Sequence, residues 1–405
     1  MQMEKVFILG ACRTPIGKMG GALASVSAAD LGALVIRESL KRSKISPEQV
    51  DHVYMGCVIQ AGLGQNVARQ SAWKAGLPFS ATAQTVNVVC GSGLDAVNSA
   101  ARLIRVKEAD VVVAGGMESM SKAPFVLMDA RYGYRMGSPM TETPLVDTMV
   151  NDALWDAVNH YHMGITAENI AEKWNITRRE ADEFAALSQA KAADAIAAGR
   201  FREEIVPVVI KGRKGDTVVD TDEGPRPGVT ADALARLKPA FKDGGIVTAG
   251  NSSGINDGAA AVVLVSEEKV RELGLQPQAE WLGGALGGVD PAIMGIGPVE
   301  STKKLLGKCS LTIDDMDLIE GNEAFSVQSI AVKRELNIPD EKLNVNGGAI
   351  ALGHPVGASG CRILVTLIHG MKQKNARTGM AMLCIGGGMG CSAVKPTSAF
   401  IGVRI

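Results

Sequence analysis

Aromatic side chains are scarce, with Phe, Tyr and Trp together at 4% of 405 residues. So few rings offer no stacking platform for unpaired bases and argue against an oligonucleotide binder. Charge of one sign is missing as well, since 42 Lys and Arg face 43 Asp and Glu for a formal charge of −1. No global field draws this chain to nucleic acid or to an anionic membrane surface, and an anionic ligand has to be met locally. The cysteines show no pairing pattern. All seven (Cys12, Cys57, Cys90, Cys309, Cys361, Cys384 and Cys391) are scattered, with no CxxC pair and no Cys/His cluster at zinc spacing. Free thiols in a reducing, cytoplasmic compartment are expected, without a metal site. Long apolar runs are absent too: the uncharged stretch 343–361 is interrupted by glycines, Asn344, Asn346 and Pro355, so no spanning helix is expected. The opening apolar run, residues 6–9, meets Arg13 soon after and is too short for a signal-peptide core.

What is present points to layered α/β structure. The length is about 2.7 times the soft prior of roughly 150 residues per domain, so two or three packed bodies are expected. Apolar residues at 46% and charged residues at 21% supply ample buried core. Short β-branched runs at 5–9, 52–59, 85–89 and 110–114 alternate with helical stretches. The helix near 30–43 carries Leu31, Leu34 and Val35 on one face, and Ser27 with Asp30 makes a capping-box pattern. Between about 120 and 250 the texture shifts to loops, helical patterns at 167–174 and 178–198, and a polar stretch, an excursion inserted into the first body. From Asn256 the alternation resumes with a buried strand at 259–265, helices near 299–306 and 324–335, and a strand near 380–385. An internal echo suggests duplication. Cys90-Gly91-Ser92-Gly93, a helix and Val111-Val112-Val113-Ala114-Gly115-Gly116 resemble Gly357-Ala358-Ser359-Gly360, a helix and Met382-Leu383-Cys384-Ile385-Gly386-Gly387. We expect 1–120, completed by 250–275, as one half, 121–249 as an inserted loop domain, and 276–405 as the other half.

Three glycine-rich places can carry chemistry. Cys90 precedes Gly-Ser-Gly and an amphipathic helix, so its thiol faces the positive end of a helix dipole, which favours thiolate and nucleophilic attack. Asp95, one turn on, opposes that effect, and a buried structural cysteine is the plain alternative. Gly91, Gly93 and Ala96 also satisfy a dinucleotide fingerprint, but the match lies far from an opening βαβ unit. His354 sits among glycines just ahead of a helix, where it can act as general base or donate to an oxyanion, or simply bond to backbone. Cys384-Ile385-Gly386-Gly387-Gly388 is either a tight hairpin or a thiol facing N–H groups suited to an oxyanion. Asn322 starts a helix, by default as its N-cap. His162, Met163 and Met294 suit a pocket wall or plain core. The basic residues Lys211, Arg213, Lys214, Arg226, Arg236 and Lys238 could meet phosphates, with a solvated face as the simpler reading.

Taken together, Asn87-Val88-Val89-Cys90-Gly91-Ser92-Gly93, Asn322-Glu323-Ala324-Phe325, residues 347–360 with His354, and residues 384–390 resemble the thiolase family. The likeness runs end to end, and Tyr161-His162-Met163-Gly164 is similar to its biosynthetic branch. The resemblance implies a five-layered α-β-α-β-α architecture built from two duplicated halves plus a loop domain. It implies acetyl-CoA C-acetyltransferase activity: two acetyl-CoA condense to acetoacetyl-CoA and CoA through an acetyl group on Cys90. His354 would activate Cys90, and Cys384 would move the α-proton of the second acetyl-CoA. Asn322 would hold a water that forms one oxyanion hole with His354, and the N–H groups of Cys90 and Gly386 would form the other. The implied coenzyme A contacts are Leu154, His162, Met163, Arg226 and Phe241. Ser253, Met294, Ala324 and Phe325 complete that set. No metal or redox cofactor is implied; coenzyme A thioesters are substrates. A homotetramer tethered through residues 125–144 is implied as well. Degradation of longer 3-ketoacyl-CoA chains and a non-catalytic acyl-CoA or lipid carrier are the alternatives. An oxidative disulfide between Cys90 and Cys384 is a further expectation.

Overall fold

The computed structural model describes residues 4–133 and 145–396. In chain order the strands are β1 (Val6–Arg13), β2 (Gly17–Lys18), β3 (His52–Gly56), β4 (Thr82–Val86), β5 (Val111–Ser119), β6 (Phe125–Val126), β7 (Val146–Asp147), β8 (Val208–Ile210), β9 (Thr217–Val219), β10 (Asn256–Ser266), β11 (Ala279–Trp281), β12 (Gly283–Gly288), β13 (Leu318–Gly321), β14 (Thr378–Ile385) and β15 (Met389–Pro396). The α-helices are α1 (Ala28–Ser43), α2 (Val67–Lys74), α3 (Ser92–Arg105), α4 (Met163–Lys173), α5 (Arg178–Ala197), α6 (Ala231–Leu234), α7 (Glu267–Glu272), α8 (Gly297–Cys309), α9 (Ser326–Leu336), α10 (Ala349–Leu352) and α11 (Val356–Lys374).

Side-chain alternation sorts these elements into layers. A seven-stranded sheet runs β11-β1-β10-β5-β3-β4, with β2 on the end of β10, and a four-stranded sheet runs β12-β15-β14-β13. Phe7 and Leu9 of β1, with Val263 and Val265 of β10, face α1 and α2 in one core. Val6, Ile8, Val262 and Leu264 face the other way, onto Leu94 and Val97 of α3 and Ile363 and Leu367 of α11. Leu383 and Ile385 of β14 close that same central core from the second sheet. Met380 and Met382 turn outward to Leu305 of α8 and Val327 of α9. The order is therefore helix, sheet, helix, sheet, helix, which is the five-layered α/β fold expected from the resemblance. Every residue of β10 is buried, which explains its near-continuous Ala and Val composition: neither face meets water.

Local signals place most elements. Ser27 accepts from the Asp30 N–H and caps α1 two residues ahead of the expected start. Thr177 and Glu180 form a full capping box on α5. The strand expected at 85–89 is instead β4, Thr82–Val86, and residues 87–91 are irregular for a reason given below. Between β5 and β10 the chain carries the ribbons β6–β7 and β8–β9 and the helices α4 to α6. In that segment α4 and α5 both pack against α9. Of the stretch 125–144, residues 134–144 lie outside the described residues. No helix among the described residues is long and apolar enough to cross a membrane.

Candidate active site

Strand β4 stops early because the chain must bend sharply to present Cys90. Val89 has φ +43°, a left-handed conformation that a β-branched residue adopts at a cost of about 1–3 kcal/mol. Local hydrogen bonds hold it there. The Asn87 side chain accepts from the Val89 N–H at 3.0 Å, Ser92 Oγ accepts from the Val88 N–H at 2.9 Å, and the Ser92 hydroxyl donates to the Val89 carbonyl at 2.6 Å. Cys90 then sits two residues ahead of α3, 8% exposed. The N–H groups of Gly386 and of Cys90 itself lie close enough to the sulfur to favour its charged form. The balance that sequence left open is decided by burial, which pushes the thiol up to about 11, and the two N–H groups only moderate that rise. The carboxylate that adds to it is Glu118, not Asp95.

His354 lies between α10 and α11, entered through Gly353, whose φ of +111° strongly disfavours any side chain there. The His354 N–H donates to Asn256 Oδ1 at 2.9 Å, fixing the loop to β10. Its Nδ1 lies 2.5 Å from Ser359 Oγ, and the Ser359 hydroxyl donates its one proton to the Pro355 carbonyl at 2.8 Å. With the Ser359 proton assigned to the Pro355 carbonyl, Nδ1 donates to Ser359 Oγ and Nε2 is left as an acceptor. Burial and, second, the charge of Arg362 push His354 down to about 3, so the ring is neutral at physiological pH.

Asn322 is not an N-cap, contrary to the default reading. Its N–H donates to the Met382 carbonyl, and α9 begins only at Ser326 with Phe325 as its cap residue. The Asn322 amide nitrogen stands 3.5 Å from both ring nitrogens of His354. Its Oδ1 is buried and has no partner among the described residues.

The segment 384–390 is a tight hairpin, with Cys384 opposite Gly390 and Ile385 opposite Met389. The hairpin also presents the Gly386 N–H to Cys90, so the two readings of this segment are not exclusive. Cys384 is fully buried, and burial, together with the charge of Cys90, pushes its thiol above the ordinary range. The two sulfurs therefore lie within electrostatic reach of each other.

Cys90, His354 and Gly386 share the wall of one cavity of about 370 Å³. Eight of the nine expected coenzyme A contacts line it too: Leu154, His162, Met163, Phe241, Ser253, Met294, Ala324 and Phe325. His162 stacks on Phe241 with ring centres 4.7 Å apart, and Phe325 meets Phe241 edge-on at 6.1 Å. Arg226 is the exception. It lines an adjoining polar pocket of about 110 Å³ with Lys18 and Gln189, a pocket that shares Ser252 and Ile255 with the main cavity. Cys384 and Asn322 are not among the residues that line it; Asn322 borders a small separate cavity with Gly321, Asn344 and Met382. Sequence reasoning missed Met120, Ser252, Ile255 and Val356 on the wall, and Asn256, Ser359 and Glu118 behind it. An acid closing the apolar run of β5 was the available signal for Glu118.

The thiolase N-terminal domain family model matches residues 6–268, and the thiolase C-terminal domain model matches residues 275–395. The acetyl-CoA acetyltransferase of Syntrophomonas wolfei is 58% identical, covering 96% of this chain and 98% of the relative. That of Pseudomonas aeruginosa is 56% identical with the same coverage, 96% and 98%. Among solved structures, the Bacillus anthracis acetyl-CoA acetyltransferase superposes with a TM-score of 0.95 at 45% identity, covering 98% of this chain and 99% of that one. Human mitochondrial 3-ketoacyl-CoA thiolase does so with a TM-score of 0.94 at 41% identity, again over 98% and 99%.

Proposed function

Because the chain belongs to the thiolase family of acyltransferases, we propose that it is an acetyl-CoA C-acetyltransferase that condenses two acetyl-CoA to acetoacetyl-CoA and CoA, reversibly, through acetyl-Cys90. The observation that carries this reading is the convergence of Cys90, the neutral His354 and the Gly386 N–H on one apolar cavity. A thioester offers a carbonyl for sulfur to attack and an acidic α-carbon, and both halves need water kept out.

The protons balance as follows. Cys90 Sγ attacks the acetyl carbonyl and its proton passes to His354 Nε2. The negative charge goes to the carbonyl oxygen, held by N–H donors. As the C–S bond to coenzyme A breaks, the departing sulfur takes the Cys384 proton and leaves as a thiol. The positive charge on His354 offsets the charge left on Cys384. The Cys384 thiolate next removes an α-proton from the second acetyl-CoA, and the enolate attacks acetyl-Cys90. Cys90 leaves and recovers its proton from His354. A general base contributes typically about 10²–10⁴ and an oxyanion donor about 10²–10³. The N–H groups of Cys90 and Gly386 form one oxyanion hole in this reading, and Asn322 with a water and His354 forms the other. No step requires a metal or redox group.

The names of relatives at 56–58% identity support the short-chain reading over the degradative one. We extend the proposal to a cytoplasmic homotetramer, supported by seven free thiols and by the exposed Phe125, Met128 and Tyr132 in the expected tether. The test is mass spectrometry after acetyl-CoA treatment. One acetyl group is expected on the Cys90 peptide, absent in Cys90→Ala. Cys384→Ala should still take that acetyl group, more slowly because coenzyme A must then leave as its thiolate, and should lose condensation. Label on another residue would overturn the assignment.

A further inference from the structure

Glu118 ends β5 on the buried side of Cys90, with no exposure to solvent. A carboxylate in such a place needs donors, and it has four. Oε2 accepts from the N–H groups of Val58 at 3.0 Å and Gly357 at 2.9 Å. Oε1 accepts from the Ile59 N–H at 3.2 Å and the Cys57 thiol at 3.6 Å. These donors come from two places: Cys57, Val58 and Ile59 follow β3 in the first sheet, whereas Gly357 is in the first turn of α11, three residues after His354. The Gly357 peptide is wedged in place by glycines of the Cys90 half. A Cβ on Gly116 would lie 2.0 Å from the Gly357 carbonyl oxygen, one on Gly56 2.7 Å and one on Gly93 3.0 Å.

Resting on the acyltransfer reading above, we propose that Glu118 is a positioning residue: its carboxylate ties the first turn of α11 to the β3 loop and so sets His354 against Cys90. Glu118 does not line the cavity. The titratable groups that face it are the thiols of Cys57 and Cys90. Burial pushes Glu118 up to about 7 against the pull of its N–H donors, and its charge in turn raises Cys90. Removing the charge and misplacing His354 therefore act on Cys90 in opposite directions.

That opposition defines the test. In Glu118→Gln an NH2 replaces one of the two oxygens, so the amide can serve only one of the two donor pairs, Val58 with Gly357 or Ile59 with Cys57, and the clamp is halved as the charge is lost. Single-turnover acetylation of Cys90 by acetyl-CoA at pH 8, per folded molecule, should fall at least tenfold with KM within about twofold of wild type. Alkylation of Cys90 by iodoacetamide at the same pH should rise severalfold, because the thiolate is easier to form. Glu118→Asp keeps the charge but shortens the reach; its acetylation should fall while its alkylation stays at the wild-type rate. Wild-type acetylation in Glu118→Gln, or acetylation and alkylation falling together, overturns the proposal. So does failure of both variants to give folded enzyme, which would make the clamp a folding element only. If wild-type protein itself takes no acetyl group on Cys90, the acyltransfer reading fails instead, and the two failures are distinguishable.

Discussion

A single methyl group at Gly164 should weaken coenzyme A thioester binding without touching a reacting atom. Gly164 lies in the first turn of α4, beside the His162–Phe241 stack that lines the cavity. A Cβ there would fall 2.1, 2.3 and 2.4 Å from three carbons of the Phe241 ring, where ordinary contact begins at 3.4 Å. The backbone is helical and accepts alanine, with a gain of about 1 kcal/mol over glycine. The ring must therefore yield by about 1 Å, and overpacking of this kind costs about 1–3 kcal/mol. Net destabilisation is then about 0–2 kcal/mol, and the protein should stay folded. The displaced ring loses its register with His162 and with Phe325 and intrudes on the cavity. A loss of about 1–2 kcal/mol in binding corresponds to a rise of roughly 5–30-fold in KM. Cys90, His354 and Gly386 stay in place, so kcat should change less than about threefold. Steady-state thiolysis of acetoacetyl-CoA by Gly164→Ala, with a thermal melt of the same sample, reads both quantities. A folded variant with unchanged KM, or one that loses kcat at constant KM, would refute the assignment of this stack to the binding wall.

The pH profile of Cys90 acetylation should lack the acid limb of an ordinary histidine. Protonated His354 cannot take the thiol proton, so activity is lost as pH falls through its value, and burial with Arg362 has moved that value to about 3; a half-point near 6.5 in stopped-flow acetylation would contradict the buried-base reading. Met163 lines the cavity with its sulfur 3.6 Å from where a Gly386 Cβ would sit, which makes it the candidate for limiting acyl length. Met163→Ala should raise kcat/KM for 3-ketohexanoyl-CoA relative to acetoacetyl-CoA by about 15-fold, at about 0.8 kcal/mol for each of two methylenes; an unchanged ratio would place the limit elsewhere.

The strands were legible because a strand buried between two cores reads as an unbroken apolar run, as Val6, Phe7, Ile8 and Leu9 do; which core each side chain faces became clear only from the packing. Glycine-rich turns stood out for a similarly simple reason. The echo between residues 90–93 and 357–360 reflects a steric need, since both segments begin helices of the central layer that meet backbone to backbone. A Cβ on Gly93 would lie 2.8 Å from the Cys361 nitrogen, and one on Gly360 2.4 Å from the Leu94 nitrogen. Other features depend on distance between segments far apart in sequence. Ser359 orients His354 within one turn, but Asn256 and Glu118 reach the same loop from 98 and 239 residues away. The helix-dipole argument for Cys90 left the balance open because sequence shows a helix start but not the burial that outweighs it. Asn322 precedes α9 by more than a cap can reach, since an extended segment separates the end of β13 from the first helical residue.

Burial that keeps Cys90 as a thiol and His354 as a neutral base suits the chemistry better than a preformed ion pair would. A resting thiolate would concentrate charge on sulfur in a cavity walled by Met, Phe and Ala side chains, where desolvation opposes it. The neutral pair lets proton transfer to His354 accompany formation of the carbon–sulfur bond, so negative charge passes to the carbonyl oxygen as it develops. In the proposed mechanism that oxygen is held by the N–H groups of Cys90 and Gly386, which are fixed in the backbone and need no reorganisation at the moment of reaction. The same apolar wall protects the acetyl-sulfur bond from hydrolysis while the second acetyl-CoA arrives. High resting values for both thiols are thus compatible with catalysis, because neither sulfur holds its charge without a partner: Cys90 gives it to the acyl oxygen, and Cys384 holds it only while His354 is protonated.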